Sequence, residues 1–161
     1  MTARWRPMRA ADLPAVLAIA DQVHTGYPED AAVLAERQRL FPAGCWLLEG
    51  EGAAPWGYAL SHPWHARRPP PLNTPLGALP EAPGCFYIHD VALLPAARGQ
   101  GAAGRLMPLL RMAAGSLPGM ALVAVHGSVP FWQRQGFRVV EAPELAAKLA
   151  SYGQDARYME N

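Results

Sequence analysis

The stretch Arg98-Gly99-Gln100-Gly101-Ala102-Ala103-Gly104 constrains this chain more than any other, because it joins an apolar, strand-like run (Phe86 to Leu94) to an apolar, helix-like one (Ala102 to Ala114). Glycine lets the backbone approach a ligand closely, and successive N–H groups then point into the turn and at the start of the helix. Arg98 adds a fixed positive charge. Such a turn is suited to a diphosphate.

Gly99, Gly101 and Gly104 also satisfy the G-x-G-x-x-G spacing of dinucleotide-binding folds. That pattern needs its first glycine hard against the strand end and an acidic residue about 20 positions further on. Here Pro95-Ala96-Ala97-Arg98 intervene, and Gly119 to His126 offers no carboxylate. Leu93-Leu94-Pro95-Ala96-Ala97-Arg98-Gly99-Gln100-Gly101-Ala102-Ala103 instead resembles the acetyl-CoA loop of the GNAT acetyltransferase superfamily, where a hydrophobic strand ends in V-x-P and continues as x-x-R-G-x-G-x-G/A. Val129-Pro130-Phe131-Trp132-Gln133-Arg134-Gln135-Gly136-Phe137 resembles the second signature of that family, a short helix reading A-x-x-F-Y-x-x-x-G-F. The order of the two segments, with one helix and one strand (Met120 to Val125) between them, also fits.

The resemblance implies an α/β fold built on a mixed sheet with helices on both faces, and acetyl-CoA as co-substrate without a metal. Its coenzyme site would take Val91, Ala92 and Leu93 from the strand end. The turn would add Arg98, Gly99, Gln100, Gly101, Ala102, Ala103 and Gly104, and Ser128, Phe131 and Trp132 would complete the coenzyme site.

At 161 residues the chain has the size of one domain, expected to span 1–161, and can bury a core without disulfides or metals. A net charge of +1 gives no nucleic-acid or membrane footprint, so the partner is expected to be small or at least not polyanionic, and the resemblance implies a small-molecule or protein amine, with a homodimer left open. Cys45 and Cys85 have neither metal-ligand nor disulfide-framework spacing and read as reduced core residues. The first residues lack the apolar core of a signal peptide and no run is long enough to span a membrane, which predicts a cytoplasmic protein.

Periodicity predicts a strand at Trp5 to Arg9, a helix from Leu13 to Val23 and a second helix opened by Asp30 and reaching Phe41. Cys45 to Glu49 and Trp56 to His62 read as a hairpin. From Pro63 to Gly84 the composition turns to proline and short polar residues, which predicts a long loop, and the resemblance places this loop beside the acceptor channel. Further strands are expected at Met120 to Val125, Phe137 to Val140 and Ala156 to Glu160, with a helix from Val129 to Gln135 and a polar or helical stretch through Leu149.

Acetyl transfer to an amine needs a base, an oxyanion stabiliser and an exit for thiolate. His89 and Asp90 interrupt an otherwise apolar strand, and a charge there must be paired or useful, so they are the catalytic candidates. Adjacent strand residues face opposite ways, so only one of them would face the amine unless a bulge intervenes, and GNAT enzymes carry a bulge in this strand. The resemblance puts the thioester carbonyl against the N–H near Leu93 and borders the acceptor with Tyr27, Glu29, His62 and Trp64. Many members use the tyrosine of F-Y as acid toward sulfur, but here Trp132 stands in its place and indole is no practical proton donor. Tyr87, Tyr152 or Tyr158 would have to substitute, or thiolate leaves unassisted. Where relatives have N-x-x-A this chain has Val125-His126-Gly127-Ser128, with His126 standing one place off. Two other readings stay open: an acyl-CoA-binding module without catalysis, and a nicotinamide-dinucleotide-binding protein.

Overall fold

The computed structural model describes residues 2–161; Met1, part of the expected domain, lies outside the described residues. Strands β1 (Arg4–Pro7), β2 (Trp46–Glu49), β3 (Pro55–Trp64), β4 (Cys85–Leu93), β5 (Met120–Ala124), β6 (Arg138–Val139) and β7 (Arg157–Glu160) form one seven-stranded sheet in the order β1-β2-β3-β4-β5-β7-β6. The β4–β5 pair is parallel and its neighbours are antiparallel. Parallel strands need a crossover, and helix α3 (Ala102–Ala114) supplies it after the glycine turn.

Strand alternation sorts the core into layers. Phe86 and Ile88 of β4 point to the face covered by Leu106, Met107 and Leu110 of α3 and by Trp132 of α4 (Val129–Arg134). On the other face, Tyr58 and Leu60 of β3 pack with Val16 and Ile19 of α1 (Leu13–Val23) and with Leu34 of α2 (Ala31–Leu40). Cys85 and Tyr87 lie beneath Leu145 of α5 (Pro143–Lys148). Helices therefore cover both faces of a mixed sheet, as the family resemblance implies. Both cysteines are buried thiols, which burial pushes up to about 12 for Cys45 and about 11 for Cys85.

The boundaries differ from expectation where proline is involved. Strand β1 ends at Pro7 rather than Arg9. Strand β3 runs two residues past His62, through Pro63 and Trp64. Phe86, opposite Pro63, donates its N–H to Gly119 O on the β5 side (2.8 Å), so this pair exchanges no ladder bond and the proline nitrogen faces away from β4. Strand β2 reaches along β3 only as far as Ala59, so no partner strand misses the absent N–H.

Two irregularities in β4 shape everything that follows. Leu60 pairs with Asp90 but Ser61 pairs with Ile88, so His89 is an extra residue opposite no partner, a β-bulge. On its other edge β4 pairs with β5 only from Phe86 to Ile88. Beyond Ile88 the parallel strands part, and the β4 edge from His89 to Leu93 borders a groove instead of a neighbour.

Leu110 is 0% exposed at the centre of the layer that positions this groove. Leu110→Ala should cost about 2–5 kcal/mol, seen as a lower urea midpoint at unchanged slope. A change within roughly 0.5 kcal/mol would contradict the packing described.

Candidate active site

A single cavity of about 250 Å³ runs along the parted strands. Arg98, Leu93 and Ala92 stand at one end, Val125, Ser128, Phe131 and Trp132 form a wall, and His24, Tyr27, Glu29, His89, Asp90 and Tyr152 line the other end.

The phosphate-type turn is formed as its sequence suggests. Gly99 (φ +78°) and Gly101 (φ +71°) occupy the left-handed region, and Gly101 caps α3. A side chain added at Gly99 or Gly104 would meet no atom within 4 Å, so open space lies over the turn. The N–H of Arg105 closes the first helical bond, to Gly101 O (3.2 Å), and the amides ahead of it in the first turn form a ready site for anionic oxygens. The turn is braced from outside: Trp5 Nε1–H donates to Ala102 O (2.8 Å), and Arg105 donates to Gln100 O (2.6 Å) and to Ala3 O (2.9 Å). These residues fit a diphosphate-bearing ligand. Arg98 hangs over Leu93 O (3.3 Å) and supplies the cation.

At the opposite end the bulge brings both His89 and Asp90 to the cavity, and the structure pairs each with a residue from the α1 end or the loop behind it. His24 Nε2–H donates to Asp90 Oδ1 (2.7 Å), and His89 Nε2–H to Glu29 Oε1 (2.8 Å). Each of these Nε2 assignments follows from the carboxylate partner, and in the neutral form of either ring it leaves Nδ1 as a lone pair; both Nδ1 atoms are buried without a partner. Asp90 Oδ2 also accepts from the Tyr58 hydroxyl, which burial and the Asp90 charge push far up, so Tyr58 stays protonated.

Electrostatics separate the groups. Burial disfavours the charged form of His24, but the hydrogen bond and charge of Asp90 more than offset it and raise the ring's pKa. Burial likewise raises Glu29, yet the charge and hydrogen bond of His89 and the Asn73 N–H outweigh it and hold Glu29 low. His126 sits in the left-handed region (φ +56°), unusual for a side chain of its size, and stacks on His24 with centroids 5.7 Å apart and planes within 9°. Tyr27 meets its edge at 4.7 Å. Burial and then the charge of His24 lower His126, with Asp90 opposing.

The structure distributes the other candidates unequally. Tyr27 and Glu29 reach the cavity. His62 does not line it: the residue is 1% exposed, its Nδ1–H donates to Pro63 O (2.8 Å), and burial pushes it down to about 3, so it stays neutral. Trp64 borders a separate depression against the proline loop and donates to Arg68 O (2.8 Å). Among the three tyrosines, Tyr152 lines the cavity but donates to Pro70 O (2.7 Å). Tyr158 accepts from the Arg67 N–H (2.9 Å) and Tyr87 is buried against Tyr152. Sequence reading missed His24 and Tyr58, whose roles arise from contacts 66 and 32 residues distant. No residue of β4 announces them, although a histidine closing an amphipathic helix was a signal available at His24.

The family model for the Acetyltransferase (GNAT) family matches residues 12–137, and the chain belongs to that family of acyltransferases. Among solved structures it is similar to the loading GNATL domain of CurA from Lyngbya majuscula (TM-score 0.77, 15% identity, 99% of this chain and 97% of that one). It is also similar to the GphF GNAT-like decarboxylase in complex with isobutyryl-CoA (TM-score 0.75, 16% identity, 98% of both). Ard1 from Thermoplasma volcanium has a TM-score of 0.71 at 16% identity over 100% of this chain and 97% of its own. At these identities the likeness is one of fold. No curated protein sequence matches significantly. No helix among the described residues is long and apolar enough to cross a membrane.

The raised pKa of His24 depends on Asp90. Asp90→Asn should lower it, measured by NMR titration of the histidine ring protons. The sign for stability follows: the contribution of the pair is fully present below the unfolded histidine pKa of about 6.5 and is lost as pH rises through the higher folded value. An unchanged His24 titration in the variant would contradict the pairing.

Proposed function

We propose that this protein is an N-acetyltransferase, acting as one domain over 1–161, that moves the acetyl group of acetyl-CoA to a primary amine by direct attack. One observation carries the reading: a single groove runs from Arg98, where the diphosphate-suited turn begins, to two carboxylate–imidazole couples. A reactive acyl group anchored at the first would lie against acid–base groups at the second.

Acetyl-CoA would be held by the amides from Gly99 to Gly104 with Arg98 assisting, its pantetheine arm along Val91, Ala92 and Leu93 and against Ser128, Phe131 and Trp132. The β4 edge that loses β5 after Ile88 supplies unpaired N–H groups to the thioester oxygen. The acceptor enters as an ammonium, and Glu29 and Asp90 favour a cation there. His24 takes its proton at Nδ1, with Asp90 fixing the tautomer and raising the basicity of the ring. His89, held by Glu29, accepts a second amine hydrogen and orients the attack. The C–N bond forms and the C–S bond breaks; the second proton lost from nitrogen balances the one returned to sulfur, and the first, held on His24, is released to solvent.

Proton return to sulfur falls to His126, because Trp132 offers no acidic proton and the hydroxyls of Tyr152 and Tyr158 are engaged elsewhere. Kept neutral by burial and by His24, His126 becomes a strong acid once it gains a proton, which suits a leaving thiolate with a pKa of about 8.5.

Thiol release with a panel of amines tests the reading. Turnover should rise with pH through the His24 pKa, and His24→Gln, His89→Gln and Asp90→Asn should each lower it by about 10² at nearly unchanged CoA affinity. For Asp90→Asn the residual acidic limb should move to lower pH. Gly101→Glu should abolish CoA binding in calorimetry. His126→Asn, which tolerates the left-handed backbone, should slow turnover, and in His126→Gly added imidazole should restore part of it while a weakly basic isostere should not. If no amine accelerates thiol release, the inert-module reading wins. The activity named for GphF, decarboxylation, leaves the thioester intact and needs no acceptor amine, so release of CO2 from a carboxylated acyl-CoA without thiol release would point there instead.

A further inference from the structure

The proline-rich segment between β3 and β4 has no regular structure, yet it is bonded to both banks of the acceptor end. On one bank the Tyr152 hydroxyl donates to Pro70 O (2.7 Å) and the Leu72 N–H to Ser151 Oγ (3.1 Å). On the other, the Asn73 N–H donates to Glu29 Oε2 (3.2 Å) and the Asp30 N–H to Asn73 Oδ1 (2.7 Å). The Leu76 and Gly77 N–H groups then bond the Glu36 carboxylate (2.6 and 3.2 Å). Asn73 takes φ +53°, a conformation that asparagine tolerates better than most residues. Pro69, Pro70 and Pro71 narrow the unfolded ensemble, so few contacts suffice to hold the crossing.

Resting on the acetyltransferase reading, we propose that residues 70–73 form a strap that closes the acceptor end and restricts the acceptor to small free amines, excluding the N-terminus of a polypeptide. A polypeptide acceptor must continue outward from its reacting nitrogen at about 3.3 Å per residue. Between the loop after α1 and the Ser151-Tyr152 turn, the backbone of the strap occupies that path. The cavity, about 250 Å³ in all, must also hold the acyl end of the co-substrate, so the room left for the amine is limited. Chemistry narrows the class further. The carboxylates of Glu29 and Asp90 favour a cation, while Val23, Tyr27 and Leu72 offer an apolar wall, which together suit a short alkyl or arylalkyl ammonium.

Two measurements on the full chain test this. In the first, kcat/KM is compared for short alkylamines, phenethylamine and tripeptide amides with free N-termini, in the wild type and in the double variant Asn73→Gly/Tyr152→Phe. The wild type should favour the small amines by roughly 10²-fold, and the variant, having lost a strap bond on each bank, should narrow that gap by roughly 10-fold. A wild type that acetylates the tripeptide amides as well as the small amines overturns the proposal. In the second, amide hydrogen exchange should be slowed at Leu72, Asn73, Leu76 and Gly77 by at least roughly 10-fold relative to an unstructured chain. Exchange at unstructured rates removes the strap whatever the activity. If the amides are protected but no amine of either kind is acetylated, the transferase reading has failed and this substrate assignment falls with it, while the strap itself stands.

Discussion

Strand β4 cannot satisfy both neighbours along its whole length, and the site exists because of that failure. The extra residue at His89 breaks the register with β3 between Leu60 and Ser61, and the ladder with β5 stops at Ile88, one residue earlier. A bulge bends and twists its strand, so the two breaks belong together. The bend opens the groove, frees a stretch of backbone edge, and turns two consecutive polar side chains toward one cavity. Without it, strand parity would send His89 and Asp90 to opposite faces, and one of them would lie buried against a helix.

The polar groups collected there would be costly in an apolar sheet, and their mutual satisfaction explains how the fold tolerates them. His89 and Glu29 have side chains 1% and 7% exposed, and His24 and Asp90 are 15% and 12% exposed. Each couple pairs a buried carboxylate with a donor, and Tyr58 completes Asp90 from below. What remains unpaired is the Nδ1 lone pair on each ring. These two unpartnered nitrogens, on residues that line one groove with Arg98, are the observation on which the proposed acid–base chemistry rests.

Local sequence made the scaffold legible and left the chemistry half-hidden. The turn from Arg98 to Gly104 needs only nearest-neighbour information: glycines at φ +78° and +71°, an arginine, and a helix behind them. The core faces of α1 and α3 follow from periodicity. His89 and Asp90 stood out because they broke an apolar run, but their partners His24, Glu29 and Tyr58 meet them only through tertiary contacts, which no local pattern encodes. His62 shows the converse. An alternating strand places it next to aromatic neighbours, where it is a neutral core histidine rather than part of the groove. The proline segment read as a loop, and only the folded chain shows that both of its sides are tied down.

The central claim is that one continuous groove holds acyl donor and amine at once, with the carboxylate–imidazole couples at its acceptor end. A conjugate in which the sulfur of CoA is joined through an acetyl bridge to a short alkylamine spans that path, and calorimetry of its binding reads the claim without requiring turnover. The conjugate should bind at least roughly 10²-fold more tightly than CoA, and most of that gain should vanish in Asp90→Asn and His24→Gln while CoA affinity holds. A conjugate that binds no better than CoA, or whose advantage survives both substitutions, would contradict it.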